Sequence, residues 1–339
     1  MAVKVAIDMN IFPILAKATS PVSVHELAAS KPADPLLVER ILRLLVAYDF
    51  AEEQGPCKYL PTALSKEMTQ RTSVGVVESL FLEFLPAIQK TPEYLHAIGY
   101  RNPEDPTFAP LQYTNKMKEG GFAWLCQNPA ALKRFNAFME GQRADRAHWA
   151  DWFPVQDQIL AAAEKRPNQP LLVDIGGGRG HDILGFKERF PSAPGKLILE
   201  DLPRVIEDAR AAVNLDAMKI ETISYDFFAE EQPVKGARVY YFRNIFHDWS
   251  DDKARIIFKN LVKSMERGYS KILMEEYILP DQNARALGGM TDIAVMVFCS
   301  GLERTQRRWT NLLQSAGLKV NKFWMRDGDG QGIIEVELP

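Results

Sequence analysis

The chain has 339 residues, of which 46% are hydrophobic and 25% charged, and its formal net charge is −3. This length suits one large domain or roughly two to three ordinary domains with a full hydrophobic core, and the small net charge argues against a polyanion-binding surface. The sequence shows no long apolar run and no signal-peptide pattern over 1–17, so we predict neither a membrane span nor secretion.

The first 65 residues have the pattern of three helices followed by a β-hairpin. Ser23 and Glu26 have the spacing of a capping box, and Asp34, which precedes a proline, is a typical helix N-cap. Pro13 is expected to disturb the last turn of the first helix. The predicted elements are helices over 3–17, 23–29 and 36–48 and a hairpin over 50–61.

This order of elements is typical of a winged helix, which raises DNA binding as one functional hypothesis. Acidic residues outnumber basic ones in this region, and phosphate contacts dominate nucleic-acid affinity. The candidate recognition helix carries an apolar stripe, and we expect it to turn Leu37, Ile41, Leu44 and Leu45 inward. The sequence therefore favours a packing or dimerisation module over 1–65, without a nucleic-acid partner.

Residues 66–166 are predicted to form a helical region. Three prolines in 99–113 indicate a loop between its first helices, and the run Arg-Pro-Asn-Gln-Pro over 166–170 is the clearest linker. We predict the main domain boundary at that linker. The predicted helices are 73–89, 116–126, 129–141 and 144–165.

From residue 167 onward, strand and helix patterns alternate, which predicts a parallel sheet with right-handed crossovers. A closing antiparallel hairpin distinguishes this order from the six-strand dinucleotide-binding fold. The predicted strands are 171–175, 196–200, 220–224, 239–242, 271–277, 320–326 and 333–338, with a turn over 327–332. The predicted helices are 181–189, 204–213, 252–265 and 305–316.

The stretch 171–180 reads Leu-Leu-Val-Asp-Ile-Gly-Gly-Gly-Arg-Gly. Its apolar run predicts a buried parallel strand, and Gly176 and Gly178 after it allow a tight turn and a close backbone approach to a ligand. The spacing Gly-x-Gly-x-Gly is not the dinucleotide fingerprint. By itself it also fits a glycine-rich turn that binds nothing.

Polar residues follow the ends of successive predicted strands, at the edge where ligands of such sheets bind. They are Asp174, Asp201, Asp226 and His247. Asp201 lies about 20 residues after the glycines, where an acid can hold ribose hydroxyls, and Asp226 could accept from an adenine amino group. Each acid alone would more often be a helix cap or a solvated residue, but their common register favours a nucleotide-type site.

Together these motifs make the chain similar to the plant- and fungal-type small-molecule O-methyltransferases that use S-adenosylmethionine. The resemblance runs in order over nearly the whole chain and implies an α/β fold: a Rossmann-like class I methyltransferase domain over 167–339, a helical substrate lid over 66–166, and an N-terminal, mostly α-helical winged-helix-like domain. The matching stretches are 173–180, 200–203, 225–228, 244–251, 276–280 and 301–305.

The resemblance also implies a role for each matching residue. His247 would be the general base, with Glu276 and Glu303 orienting it. The implied residues that bind S-adenosylmethionine are Gly176, Gly178, Asp201, Asp226, Phe227 and Arg243, the last replacing the family's usual lysine. The implied substrate-binding residues are Phe135, Met139, Asp248, Met296 and Phe298.

Methyl transfer needs an aligned oxygen nucleophile that loses its proton. A histidine with a pKa of about 6.5 suits this work, and a carboxylate on its other ring nitrogen fixes the tautomer. Full proton transfer from a phenol, with a pKa of about 10, to such a histidine costs roughly 5 kcal/mol, and an aliphatic hydroxyl is far worse. We therefore expect a phenolic or enolic secondary metabolite as the acceptor. From position alone, His247 equally fits a loop residue before a helix.

A second hypothesis keeps the fold but not the reaction, because some relatives bind S-adenosylmethionine and steer pericyclic reactions. The alternative prediction is thus a pericyclase that acts on a polyketide-type substrate.

The family further implies a homodimer. The chain starts without the longer N-terminal segment common in the family, which predicts a weaker dimer or missing upstream residues. Three widely spaced cysteines, Cys57, Cys126 and Cys299, predict no disulfide framework, no metal site and a reducing, cytoplasmic location.

Overall fold

The computed structural model describes residues 1–144, 146–326 and 330–339, without the side chains of 142–144. The chain divides into two compact units, each described by itself below. The first comprises Met1–Tyr100 and Pro110–Arg146, and the second comprises Arg101–Ala109 and Ala147–Pro339. No helix among the described residues is both long and apolar enough to cross a membrane.

The first unit begins with four helices and a small antiparallel sheet. The helices are α1 (Ala2–Asp8), α2 (Ile11–Lys17), α3 (Val24–Ala29) and α4 (Pro35–Ala47), and the strands are β1 (Val22–Ser23), β2 (Glu52–Glu53) and β3 (Lys58–Leu60), in the order β1-β3-β2. The capping box of Ser23 and Glu26 is confirmed, and so is the Asp34 cap. The predicted first helix is wrong in one respect: it is split at Asn10, which has a φ of 58°. Pro13 then lies in the first turn of α2, where a missing N–H is tolerated.

Helix α4 buries a different face from the one that we predicted. Ile41 and Leu45 point inward as expected, but Leu37 and Leu44 are each 45% exposed. Val38 and Leu42 take their places in the core of this unit. The helix is apolar on both sides, so periodicity alone did not fix which stripe faces the core.

Six further helices follow among the described residues of the first unit. They are α5 (Ala63–Glu67), α6 (Arg71–Ser79), α7 (Leu85–Ala97), α8 (Pro110–Asn115), α9 (Gly121–Gln127) and α10 (Pro129–Ala144), and a π-helical turn over Leu80–Phe84 joins α6 to α7. Helices α6 and α10 pack closely at Gly75, where a Cβ atom would lie only 2.5 Å from Ala137 Cβ.

The second unit is built on a mixed sheet, which confirms the predicted α/β class. Its strands are β4 (Pro170–Ile175), β5 (Lys196–Asp201), β6 (Ile220–Ser224), β7 (Val239–Arg243), β8 (Lys271–Leu279), β9 (Arg304–Thr305), β10 (Lys319–Met325) and β11 (Gln331–Glu337). The order is β10-β11-β8-β7-β4-β5-β6, and β9 pairs with β8. Strands β4 to β8 run parallel, whereas β11 is antiparallel to both of its neighbours. Part of the predicted turn over 327–332 lies outside the described residues.

The helices of the second unit flank this sheet. They are α11 (Trp149–Trp152), α12 (Ala161–Ala163), α13 (His181–Arg189), α14 (Pro203–Ala212), α15 (Asp251–Val262), α16 (Ala286–Cys299) and α17 (Gln306–Ser315). The predicted single helix over 144–165 is wrong within the described residues, because Pro154 separates α11 from a π-helical turn over Gln156–Leu160. Helix α16 is an addition, because our sequence analysis predicted no element there.

Two hydrophobic clusters cover the two faces of the sheet. Neighbouring strand residues alternate between them: Val173 and Tyr240 belong to one cluster, and Leu172 and Tyr241 to the other. Burial on both faces is what makes the central strands read as continuous apolar runs. Because β4, β5 and β7 run parallel, their carboxyl ends lie at one edge of the sheet.

Candidate active site

The glycine turn follows β4. Gly176 and Gly178 have φ values of 70° and 61°, a region that favours glycine. A Cβ atom on Gly176 would lie 2.6 Å from Cδ1 of Ile245 and 4.0 Å from Phe227. On Gly178, by contrast, a Cβ atom would meet no described heavy atom within 4 Å. The turn therefore packs closely on one side and is open on the other.

Two of the predicted acids lie at the carboxyl ends of β5 and β6, on the edge of the sheet where the glycine turn follows β4. Asp201 ends β5, and its two carboxylate oxygens accept N–H groups from Gly178 at 2.9 Å and from Leu202 at 2.7 Å. Burial raises the pKa of Asp201, and these two hydrogen bonds oppose that effect. Asp226 follows β6 and accepts the N–H of Phe228 at 2.9 Å. The glycine turn is thus held by a carboxylate from the neighbouring strand.

The predicted cofactor residue Arg243 ends β7 and is engaged in a buried ionic network. Its Nη1 lies 2.7 Å from Asp182 Oδ1, and its Nε lies 3.7 Å from Glu275 Oε2. Burial alone would lower the pKa of Arg243, but these two carboxylates raise it, so the guanidinium stays charged. Asp182 lies in the first turn of α13, directly after the glycine turn, so Arg243 anchors that helix.

His247 lies on a short 3₁₀ turn, Phe246–Asp248, that follows β7. Its Nδ1 is 2.8 Å from Oε1 of Glu303, and its Nε2 is 3.5 Å from Oδ1 of Asp248. The His247 side chain is 12% exposed, whereas that of Glu303 is fully buried. The structure thus places a carboxylate on one ring nitrogen and leaves the other near a second acid.

Glu276 supports the same turn through the backbone. One of its carboxylate oxygens accepts the N–H groups of Ile245 at 3.2 Å and Phe246 at 2.8 Å. Glu276, His247 and Glu303 each place one nitrogen or oxygen atom within 4.8 Å of the other two, a spacing that a metal ion could also bridge. Because each of the three side chains already makes a hydrogen bond through one of its atoms, we interpret the cluster as a hydrogen-bonded histidine–acid set.

The acids control the charge of the ring. Burial lowers the pKa of His247, but the charges of Asp248, Glu303 and Glu276 and the hydrogen bond to Glu303 outweigh burial and raise it to about 10. Burial raises the pKa of Glu276 to about 7 and that of Asp248 to about 6, while the nearby His247 opposes both shifts. The site therefore stabilises a proton on the ring.

The predicted substrate residues lie in both units. Met296 and Phe298 are on α16, and Phe298 is only 6% exposed. Asp248 accepts from the Sγ of Cys299, also on α16, at 3.4 Å. In the first unit, α10 carries Phe135 and Met139, both half-buried, and the Phe135 ring lies edge-on to the rings of Phe122 and Phe138.

Sequence reasoning missed residues that hold the site together. Ile245 links the glycine turn to the His247 turn. Its side chain packs over Gly176, and its backbone N–H donates to Glu276. Arg304, next to Glu303, binds the carbonyl oxygens on both sides of the His247 turn. The quoted stretch 301–305 contained that arginine, but only its glutamate was given a role.

The chain matches two protein families. Residues 137–319 match the O-methyltransferase domain, and residues 1–71 match the O-methyltransferase dimerisation domain. Among curated relatives, O-methyltransferase asqD of Emericella nidulans is 38% identical over 336 residues, which are 99% of this chain and 85% of the relative.

Solved structures extend the comparison over 100% of this chain. One, described as a pericyclic reaction enzyme, has a TM-score of 0.90 at 27% identity and is covered over 86% of its own chain. The structure of OxaC in complex with SAH and oxaline has a TM-score of 0.87 at 27% identity, with 84% of its chain covered.

Proposed function

We propose a specific reaction for this chain, which belongs to the family of S-adenosylmethionine-dependent O-methyltransferases. In this proposal it methylates a phenolic or enolic hydroxyl of a secondary metabolite, with His247 as the general base. The observation that carries the proposal is the 2.8 Å contact between His247 Nδ1 and Glu303 beside the glycine turn. A histidine held by a carboxylate is the arrangement that general-base catalysis uses.

The residues at the glycine turn suit S-adenosylmethionine. A Cβ atom would collide with Ile245 at Gly176, but the space over Gly178 is free of described atoms, which fits a ligand resting against bare backbone. Asp201 would hold the ribose hydroxyls, while Asp226 and Phe227 would bracket the adenine. Arg243 acts there indirectly, because its Nη1 is bound to Asp182.

The hydrogen bond to Glu303 assigns the tautomer of the neutral ring. Nδ1 carries the hydrogen and donates it to Glu303, so the lone pair lies on Nε2. In the proposed step, Nε2 takes the proton of the acceptor hydroxyl, and Glu303 stabilises the resulting imidazolium. When bound, S-adenosylmethionine would supply the methyl group, whose bond to sulfur would break as its bond to the acceptor oxygen forms. It would also supply a positive charge that disfavours a proton on the His247 ring.

The raised pKa of His247 supports a phenolic or enolic acceptor. A phenol has a pKa of about 10, and the surrounding acids raise the pKa of His247 to about 10 as well. Transfer from a phenol to the neutral His247 ring is therefore nearly balanced, and at neutral pH the ring must first release the proton that the acids stabilise on it. An aliphatic hydroxyl, whose pKa approaches the roughly 15.7 of water, would still be poorly matched. Asp248 and the apolar Phe135, Met139, Met296 and Phe298 are the residues that we propose contact the acceptor.

The remaining organisation follows the family. The match of residues 1–71 to a dimerisation domain supports a homodimer. We propose that 1–65 packs and dimerises, that 66–166 covers the substrate, and that 167–339 carries the chemistry. The free cysteines Cys57, Cys126 and Cys299 fit a cytoplasmic enzyme.

A pericyclase is the second candidate, since a structure described as a pericyclic reaction enzyme matches the whole chain with a TM-score of 0.90. The bonded pair of His247 and Glu303 favours methyl transfer, because a pericyclic rearrangement moves no proton to a base.

Mass spectrometry with methyl-labelled S-adenosylmethionine separates the two. A phenol, a 1,3-dicarbonyl enol and an aliphatic alcohol, each in a polyketide-sized scaffold, serve as acceptors. We expect the phenol or the enol to gain one labelled methyl group, His247→Ala to lose that gain, and the exposed control His25→Ala to keep it. A product of unchanged mass would favour the pericyclase, and full turnover by His247→Ala would remove the histidine from the mechanism.

A further inference from the structure

Arg304 is fully buried, and the proposed reaction gives it no role. It lies on β9, where it pairs with Ile278 of β8, two residues beyond Glu276. Its guanidinium lies 5.0 Å from the centroid of the Trp309 ring, which is itself buried. A buried charged side chain is costly unless every donor finds an acceptor. The identity of those acceptors is therefore informative.

All three arms of the guanidinium reach the segment that carries His247. Nη1 donates to the carbonyl of Phe246 at 2.8 Å, and Nη2 donates to that of Trp249 at 2.7 Å. Nε donates to Asp251 Oδ1 at 2.8 Å. The two carbonyls flank His247 and Asp248, so the fork spans the turn from one side to the other.

The residues just before Arg304 bind the turn from the same direction. The N–H of Leu302 donates to the carbonyl of His247 at 2.7 Å, and the side chain of Glu303 meets the ring. At Gly301 a Cβ atom would lie 2.4 Å from the carbonyl oxygen of His247, so only glycine allows this approach. Residues 301–304 thus contact both Phe246 and His247 of the turn.

We propose that Arg304 is a positioning residue that holds the His247 turn at hydrogen-bonding distance from Glu303. The inference rests on the proposed role of His247 as the base. The hydrogen bonds of Arg304 to the turn go to two backbone carbonyls, so it acts on the ring of His247 through the backbone. Losing it would remove the bonds to the Phe246 and Trp249 carbonyls and loosen the turn relative to Glu303, which stays anchored by its own N–H bond to Asp292 at 2.9 Å.

Lysine could not replace this fork. The three acceptors lie around a planar group and are reached by three different nitrogens, whereas an ammonium offers its donors from a single atom. Arg304→Lys therefore keeps the charge and loses the geometry. That makes it a sharper test than a neutral substitution, because any change in activity reports position.

The test compares Arg304→Lys with Arg307→Lys, a control three residues away whose side chain is 73% exposed. We expect Arg304→Lys to lower kcat by about tenfold to a hundredfold, because small displacements of a catalytic group are this costly. The dissociation constant of S-adenosylmethionine and the acceptor KM should stay within about twofold, and the acid limb of the pH profile should move. Arg307→Lys should match the wild type in every readout.

A second pair of measurements keeps the inference separable from the proposed function. Selective isotope labelling of histidine shows the ring signals of His247 by NMR without any turnover. Arg304→Lys should shift those signals and their titration midpoint; unchanged signals together with unchanged kcat would overturn the inference. Should Arg304→Lys fail to fold, Asp251→Asn weakens one arm of the fork at a 43% exposed partner and should shift the same signals, and no shift there would equally contradict it.

Double substitution separates the two claims further. If Arg304 acts through His247, adding Arg304→Lys to His247→Ala should lower the residual turnover no further. An additive loss would show that Arg304 acts elsewhere. Wild-type turnover in His247→Ala alone would refute the base and leave the NMR result on Arg304 standing.

Discussion

The glycine turn and the histidine turn meet at Ile245, but they are held in place in different ways. The glycine turn comes from one continuous stretch, 171–180, and one neighbouring carboxylate, Asp201, binds it. The histidine turn is held by Glu276 from β8 and by residues 301–304 from β9 and the segment before it. The first is therefore a local motif, and the second is an assembly of three distant segments.

This difference predicts two separable phenotypes. Changes at the glycine turn should weaken cofactor binding, since that turn is the surface on which the cofactor would rest. Changes around His247 should lower kcat and alter its pH dependence while cofactor binding persists. The predictions below test that separation.

The largest effect is expected for Glu303→Gln. The amide cannot offer the charge that stabilises the imidazolium, so kcat should fall by about a hundredfold or more. Glu303 raises the pKa of His247. Removing its charge should therefore lower that pKa and move the acid limb of the kcat profile to lower pH.

Stopped-flow or mass-spectrometric rates between pH 5 and pH 10.5 would show this shift. Isothermal titration of S-adenosylmethionine on the same variant should give a wild-type dissociation constant. An acid limb that moves to higher pH would contradict the role of Glu303 in raising the pKa of His247. A loss of cofactor affinity would contradict the claim that the His247 turn and the glycine turn have separate functions.

An intermediate effect is expected for Gly176→Ala. Alanine would be strained at the positive φ of this position, and its methyl group would lie 2.6 Å from Cδ1 of Ile245, so the glycine turn must shift. The dissociation constant of S-adenosylmethionine should therefore rise by about tenfold or more. Gly268→Ala is the matched control, because its φ is 73° and no described atom lies within 4 Å of the new Cβ. It should cost about 1 kcal/mol of stability without changing cofactor affinity.

The smallest effect is expected for metal removal. Glu303 is bonded to the His247 ring and Glu276 is bonded to backbone N–H groups, so the cluster needs no cation to hold its shape. Dialysis against EDTA should change turnover by less than about twofold. A loss that zinc or magnesium restores would instead identify these three residues as a metal centre.

The sequence predicted what local chemistry determines. The caps at Ser23 and Asp34, the parallel strands and the acids at their ends all follow from short-range patterns. Such patterns also placed Asp201 at the carboxyl end of β5 and Asp226 just after that of β6. The resemblance to the family, which is confirmed, accounts for many of the correct predictions, because the motifs occur in the order that the family has.

What escaped prediction depends on contacts between distant segments. Periodicity could not decide whether Leu44 or Leu42 faces the core of the first unit, since α4 is apolar on both sides. Helix α16 carries few polar residues, so its sequence shows no distinct polar face. Arg304 has no feature in the sequence that distinguishes it from a surface arginine, and only the pairing of β9 with β8 shows that it is buried. The raised pKa of His247 likewise needs three acids, at 248, 276 and 303, that only the fold brings together.

The most direct measurement is the titration of the His247 ring by NMR in the free enzyme and in Glu303→Gln. The account predicts a wild-type midpoint near the pKa of about 10 that the surrounding acids impose, and a lower midpoint in the variant. A ring that titrates at the ordinary value of about 6.5 in both proteins would contradict it, because the carboxylates would then exert no control over the proposed base.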